Sequence, residues 1–179
     1  MAGRPEERGL TLVELVAIVG FVGIIAAILF PLFTRNGVIS DHRSPCLSGL
    51  KQISLALIMY STDSDDVLPP ASTWADRTMP YSKNADIYKC PDLKLATKQF
   101  GHAYNRGLEN KTTASFAYPT NVPATFDATD LSWNANGPLS LLPQPGRHPD
   151  GRNTIAFLDA HAKPMTRMEL FHRMSGPQP

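Results

Sequence analysis

Arg8-Gly9-Leu10-Thr11-Leu12-Val13-Glu14 closes a short polar stretch and opens a run of 24 residues, Leu10 to Phe33, that carries one ionisable side chain, Glu14. A helix of that length reaches roughly 36 Å, against about 30 Å of bilayer hydrocarbon. The run is too long for the core of a secretory signal and lacks a small-residue cleavage pattern at its far end. It therefore reads as a membrane-spanning helix. A carboxylate inside such a segment is costly, so Glu14 is a functional candidate by default. Arg4 and Arg8 precede the span and Arg35 and Arg43 follow it, so positive charge alone does not orient it. Gly20 and Gly23 are compatible with a close-packing face, with a flexible point, or with the ordinary abundance of small residues in membrane helices.

Beyond the span, Thr34 to Pro179 is long enough for one compact domain with its own core. The net charge is +1 and the basic residues are scattered, which excludes a nucleic-acid backbone as an expected partner. The 16 prolines fall mostly after Leu68 and favour a turn-rich second half over a long bundle. Pro31 removes a backbone donor and is expected to kink or end the first helix, and Asn36-Gly37 and Ser44-Pro45 add a break. Leu47, Leu50, Ile53, Leu57 and Ile58 then follow helical spacing, with Ser48, Lys51, Gln52 and Ser61 mainly elsewhere. Ser44 suits the N-cap of this helix and Pro45 its first position. The apolar stripe is expected to pack under a sheet.

Asn153 to Leu158 and His161 to Thr166 read as a hairpin turning at Asp159-Ala160. Tyr81 to Lys89 and Gln99 to Asn105 are weaker strand candidates. Residues 110–145, rich in Thr, Asn, Ala and Pro, read as a surface excursion, and residues 175–179 as a disordered tail.

The leader junction resembles that of the type IV prepilins and the related pseudopilins of type II secretion. Gly9 stands where the family leader ends, Glu14 five residues on where the family carries its Glu, and Pro31 where many pilins have a helix-kinking Pro. Leu10 replaces the more usual Phe. The resemblance extends along the chain, to a bacterial subgroup of prepilin-like proteins. Cys46-Leu47-Ser48-Gly49-Leu50-Lys51-Gln52, Tyr60, Asp63, Asp65 and Leu68-Pro69 match its first half. Lys89-Cys90-Pro91, Tyr104-Asn105, Arg147-His148, Asn153 and the apolar strand ending Asp159-Ala160-His161 match its second. Ala160 stands where the subgroup has Gly, the interval from His148 to Asp159 is one residue longer, and Pro45 is atypical.

The resemblance implies a leader of residues 1–9, an assembly helix over 10–33 and an exported domain over 34–174. It implies cleavage after Gly9 by a prepilin peptidase, N-methylation of Leu10 by its methyltransferase activity, and an inner-membrane location with the C-terminal domain outside the cytoplasm. Partners would be other pilin-like subunits and an inner-membrane assembly platform, the assembled form lying in the periplasm or on the cell surface. Glu14 would pair with the new α-amine of an adjacent subunit, offsetting the desolvation of both charges. The implied fold is α+β and pilin-like, an amphipathic helix packed on an antiparallel sheet.

Four further groups bear on chemistry. Cys46 and Cys90 are either a disulfide, closing a 45-residue loop for roughly 4 kcal/mol, or two buried thiols. Asp63, Asp65 and Asp66 offer oxygens to a cation such as Ca²⁺, or form a solvated turn. His148, Asp159 and His161 can be drawn as a metal or acid–base site, but no HExxH, paired-Cys or nucleophile-elbow motif accompanies them, and no enzyme or cofactor is expected. Trp74, Tyr81, Tyr88, Phe100, Tyr104, Trp133 and Phe157 either line a ligand groove or form the core. The rival to a fibre subunit is a single-pass membrane-anchored module that binds a ligand through this aromatic-rich domain.

Overall fold

A computed structural model describes residues 11–34, 43–93 and 99–176. The chain divides into two units, residues 1–41 and 42–179. In the first, helix α1 runs Leu12–Thr34, so it continues through Pro31 rather than ending there. Its described side chains, Leu12 to Phe30, are all exposed. By length and composition the 19 residues Leu12–Phe30 could cross a membrane, since they span about 28 Å, the depth of a bilayer core.

The second unit is α+β. Helix α2 covers Arg43–Thr62 and helix α3 Trp74–Ser82. Five strands follow, β1 His102–Asn105, β2 Pro123–Asp127, β3 Asn136–Gly137, β4 Asn153–Phe157 and β5 Ala162–Met165, and helix α4, Arg167–Ser175, closes the domain. The sheet order is β3-β1-β2-β4-β5, antiparallel except for the β1–β3 pair. The sheet is thus mixed, where a purely antiparallel one was expected.

Successive strand residues serve opposite faces, except that a register shift between Pro123 and Thr125 lets Ala124 and Phe126, two apart on β2, enter different cores. Tyr104, Ala124, Ala156 and Leu158 join one core with Leu50, Ile53 and Leu57 of α2 and with Trp74 of α3. Ala103, Phe126, Ile155 and Phe157 join a second core closed by Leu142 and by Leu170 of α4. Burial on both faces explains why β2 and β4 contain no exposed position.

The expected α2 stripe packs as predicted at Leu50, Ile53 and Leu57, with Leu47 and Ile58 half-buried. Ser61 is buried rather than outward, its hydroxyl donating to the Ile58 carbonyl at 2.8 Å. Ser54 is also buried and donates to the Phe157 carbonyl at 2.6 Å, tying α2 to β4. The helix starts at Arg43, so Ser44 and Pro45 lie inside its first turn instead of at its cap and first position. Gly49 permits a close crossing: a Cβ there would meet the Ile87 carbonyl oxygen at 2.8 Å.

The expected hairpin forms as β4 and β5, and Ala160 holds φ +65°, the conformation for which glycine is best suited. Gln99 to Asn105 contains β1. Tyr81 to Lys89 is not a strand: α3 ends at Ser82, Lys83 takes a left-handed φ of 52°, and a 3₁₀ turn follows over Ala85–Tyr88. The 110–145 segment is not a surface excursion either, since it supplies β2, between β1 and β4. Pro123 occupies the first position of β2, the place where a strand tolerates the missing donor. Ser175 belongs to α4, whereas the last three residues of the expected tail lie outside the described residues.

Candidate functional site

Two places gather the chemistry. The first is the head of α1. The Thr11 amide donates to Oε2 of Glu14 at 2.8 Å, the Thr11 hydroxyl donates to the same oxygen at 2.7 Å, and the Glu14 amide donates back to the Thr11 hydroxyl at 3.3 Å. This is the reciprocal pairing of a capping box, which satisfies amides that a helix start otherwise leaves open. Glu14 therefore has a local, helix-capping role. Gly9 and Leu10 lie outside the described residues. Pro31 lies within the helical span.

The second place is buried in the domain, where four separate segments meet. Cys46 comes from the first turns of α2, Cys90 from the loop after the Ala85–Tyr88 turn, Asp127 from the end of β2, and His148 from the loop before β4. All four are buried, and one ligand atom from each lies within 4.8 Å of the other three. The sulfurs stand 2.8 Å apart and either can donate to the other. Gly101 makes room at this point, because a Cβ there would stand 2.9 Å from Cys90 Cβ and 3.1 Å from Nη1 of Arg147.

Hydrogen bonds fix the two central side chains. The Thr154 amide donates to Oδ2 of Asp127 at 2.6 Å, and Nε2 of His148 lies 3.0 Å from the same oxygen and 2.9 Å from the Thr154 hydroxyl. The other ring nitrogen of His148, Nδ1, bonds the Asp92 carboxylate. Arg147 reaches Oδ1 of Asp127 at 3.3 Å and donates to the carbonyls of Gly101 and Ala128. Nδ1 of His102 lies 3.2 Å from Oδ1 of Asp127.

These contacts set the charges. Burial pushes the Asp127 carboxyl up, but His102, His148 and Arg147 outweigh it and hold the group well below the ordinary carboxylate range. Burial pushes the His148 imidazole down, and the bonds to Asp127 and Asp92 outweigh it, lifting the ring to about 9. The hydrogen bond from Cys46 pulls the Cys90 thiol down, helped by Arg147 and by the Asp92 amide aimed at its sulfur, while the same bond and burial push Cys46 up. Cys90 is the sulfur that takes the negative charge first. Such a group can close a disulfide or hold a cation that accepts sulfur and nitrogen.

The remaining sequence candidates are dispersed. Asp63 accepts from the Tyr81 hydroxyl at 3.0 Å, and Asp65 and Asp66 turn the chain with left-handed φ of 54° and 59°. Among the described residues, these three do not join the converging group around Cys46. Asp159 caps the hairpin turn, accepting from the His161 amide at 3.2 Å and bonding the His161 ring. Trp74, Tyr88, Tyr104 and Phe157 are fully buried, with Trp74 stacked on Tyr104 at 5.8 Å, so most of the aromatic set is core. Sequence reasoning missed Asp92, His102, Asp127, Arg147 as a charge partner, and Thr154. An Asp closing a strand two residues after another buried residue leaves no periodic signal that separates it from a turn Asp. No family model matches the chain, and no match was found among curated proteins or solved structures.

Proposed function

We propose that this chain is a prepilin-like structural subunit of a type IV pilus-like or type II secretion pseudopilus-like fibre. The reading takes the chain to be cut after Gly9 by a prepilin peptidase, N-methylated at Leu10, and assembled from the inner membrane through α1. The observation that carries it is an exposed apolar helix whose one carboxylate, Glu14, lies in its first turn, five residues past a Gly-apolar junction. An inert anchor requires neither the junction nor the acid. Removal of residues 1–9 would place a new α-amine next to Thr11 and Glu14, where two opposite charges of neighbouring subunits lower each other's desolvation cost. The α+β domain carried on such a helix is compatible with a pilin-like subunit.

The rival, a membrane-anchored ligand-binding module, relied on an aromatic groove. It loses support because Trp74, Tyr88 and Tyr104 pack into the domain core. Intact mass and N-terminal sequencing of the protein from its native membrane test the proposal. The expected mature chain begins at N-methyl-Leu10. A chain still beginning at Met1 or Ala2, in cells with an active prepilin peptidase, overturns it.

A further inference from the structure

We propose that Cys46, Cys90, Asp127 and His148 form a four-ligand Zn²⁺ site that staples the domain. The inference stands apart from the fibre reading, because it uses none of the residues at the head of α1. Among the described residues, this is the group of three or more Cys, His, Asp and Glu side chains whose ligand atoms converge. Its chemistry is selective. Two sulfurs and an imidazole suit a borderline-soft cation, whereas Ca²⁺ and Mg²⁺ require oxygen.

The surroundings resemble those that hold zinc ligands in place. His148 presents Nε2 to the side of Asp127, while Nδ1 is held by Asp92. A carboxylate on the far nitrogen of a ligating histidine fixes its tautomer and orientation. The Asp92 backbone amide aims at the Cys90 sulfur. The charges largely offset. Two thiolates, Asp127 and the Asp92 carboxylate behind His148 carry four negative charges, and Zn²⁺ with the neighbouring Arg147 guanidinium supplies three positive ones.

Zinc entry would require the two cysteine sulfurs to move apart. With Zn–S of about 2.3 Å, two sulfurs of a tetrahedral site stand roughly 3.8 Å apart. The cysteine sulfurs are closer than this, at 2.8 Å, and the group as a whole reaches 4.8 Å, so the ion would bring short and long separations to a common edge. Binding exchanges protons for metal: each thiol proton and the Nε2 proton of His148 leave to solvent as the S–Zn and N–Zn bonds form, Nδ1 keeps its proton toward Asp92, and no electron is transferred. The four ligands come from α2, a loop, β2 and the approach to β4, so one ion would cross-link segments up to 102 positions apart in sequence, from Cys46 to His148.

The competing fate of the same sulfurs is a disulfide, and one preparation separates the two. The full chain is purified in detergent, from cells grown with zinc and without chelator. Metal is counted by plasma mass spectrometry, and thiols by alkylation after denaturation in EDTA without reductant. The expected result is about one zinc per chain and alkylation of both cysteines. A metal-free chain lighter by two hydrogens and refractory to alkylation is a disulfide, and overturns the proposal. A metal-free chain with two free thiols overturns it as well.

Co²⁺ replacement gives an independent signature, a thiolate-to-metal charge-transfer band with tetrahedral visible bands, which Cys90→Ser should diminish. Asp92→Asn leaves all four ligands in place and should retain the far-UV circular dichroism of the parent. Its zinc affinity should fall roughly 10- to 100-fold. Unchanged affinity would remove the outer-sphere support for His148 and count against the site.

Discussion

At the scale of single residues, backbone geometry and local crowding give two quantitative expectations. Ala160 holds a left-handed φ of +65° at the β4–β5 turn, where a side chain is strained. Ala160→Gly should therefore stabilise the domain by about 1 kcal/mol, read as a higher denaturant midpoint with an unchanged slope. A lower midpoint would mean that the turn is not strained by its Cβ. Gly101 faces the opposite constraint. A methyl there would press on Cys90 and Arg147, so Gly101→Ala should cost about 1–3 kcal/mol and disturb the buried cluster. Equal stability of variant and parent in urea would show that the cluster is looser than these contacts require. The sequence had already marked Ala160 as a departure, because it stands where the resembled prepilin-like subgroup has Gly. It could not mark Gly101, whose neighbours Cys90 and Arg147 lie far away along the chain.

At the scale of elements, local periodicity was legible and non-local partnership was not. The α2 stripe at Leu50, Ile53 and Leu57 and the β4–β5 hairpin followed from spacing alone. Strand β2 did not, because Pro123-Ala124-Thr125-Phe126-Asp127 has neither clear alternation nor strong β propensity. Only its position between β1 and β4 makes it a strand. The candidate site shared this fate: Cys46, Cys90 and His148 were each noticed, but Asp127 lies on that unread strand. Helix α4 carried a local signal that went unread. Thr166 and Glu169 form a capping box, the Glu169 amide donating to the Thr166 hydroxyl at 3.2 Å and the Thr166 amide to the Glu169 carboxylate at 2.8 Å. The helix exists to place Leu170 under the second face of the sheet. Thr166→Ala should cost about 1 kcal/mol and Leu170→Ala about 2–5 kcal/mol in equilibrium unfolding. If Leu170→Ala were nearly neutral, α4 would not be part of the core.

For the whole molecule, the question is what Glu14 contributes, because two roles now compete for it. One is local: its carboxylate completes the capping box with Thr11 and secures the start of α1. The other is intermolecular: its charge would pair with the processed α-amine of a neighbouring subunit. Glu14→Ala removes both and does not distinguish them. Glu14→Gln does, since Gln serves in a capping box but carries no charge. Under the fibre reading both variants should insert in the membrane at parental levels, because α1 keeps its apolar length and loses its one costly group. Both should then fail to enter fibres, with sheared-fibre yield falling at least about tenfold if pairing in the membrane offsets even 1.4 kcal/mol of the desolvation cost of each charge. Normal fibres from Glu14→Gln alongside few from Glu14→Ala would assign Glu14 to helix capping and remove the charge pair from the mechanism. Normal fibres from both would leave the carboxylate without an assembly role, and would shift attention to the surface of the α+β domain.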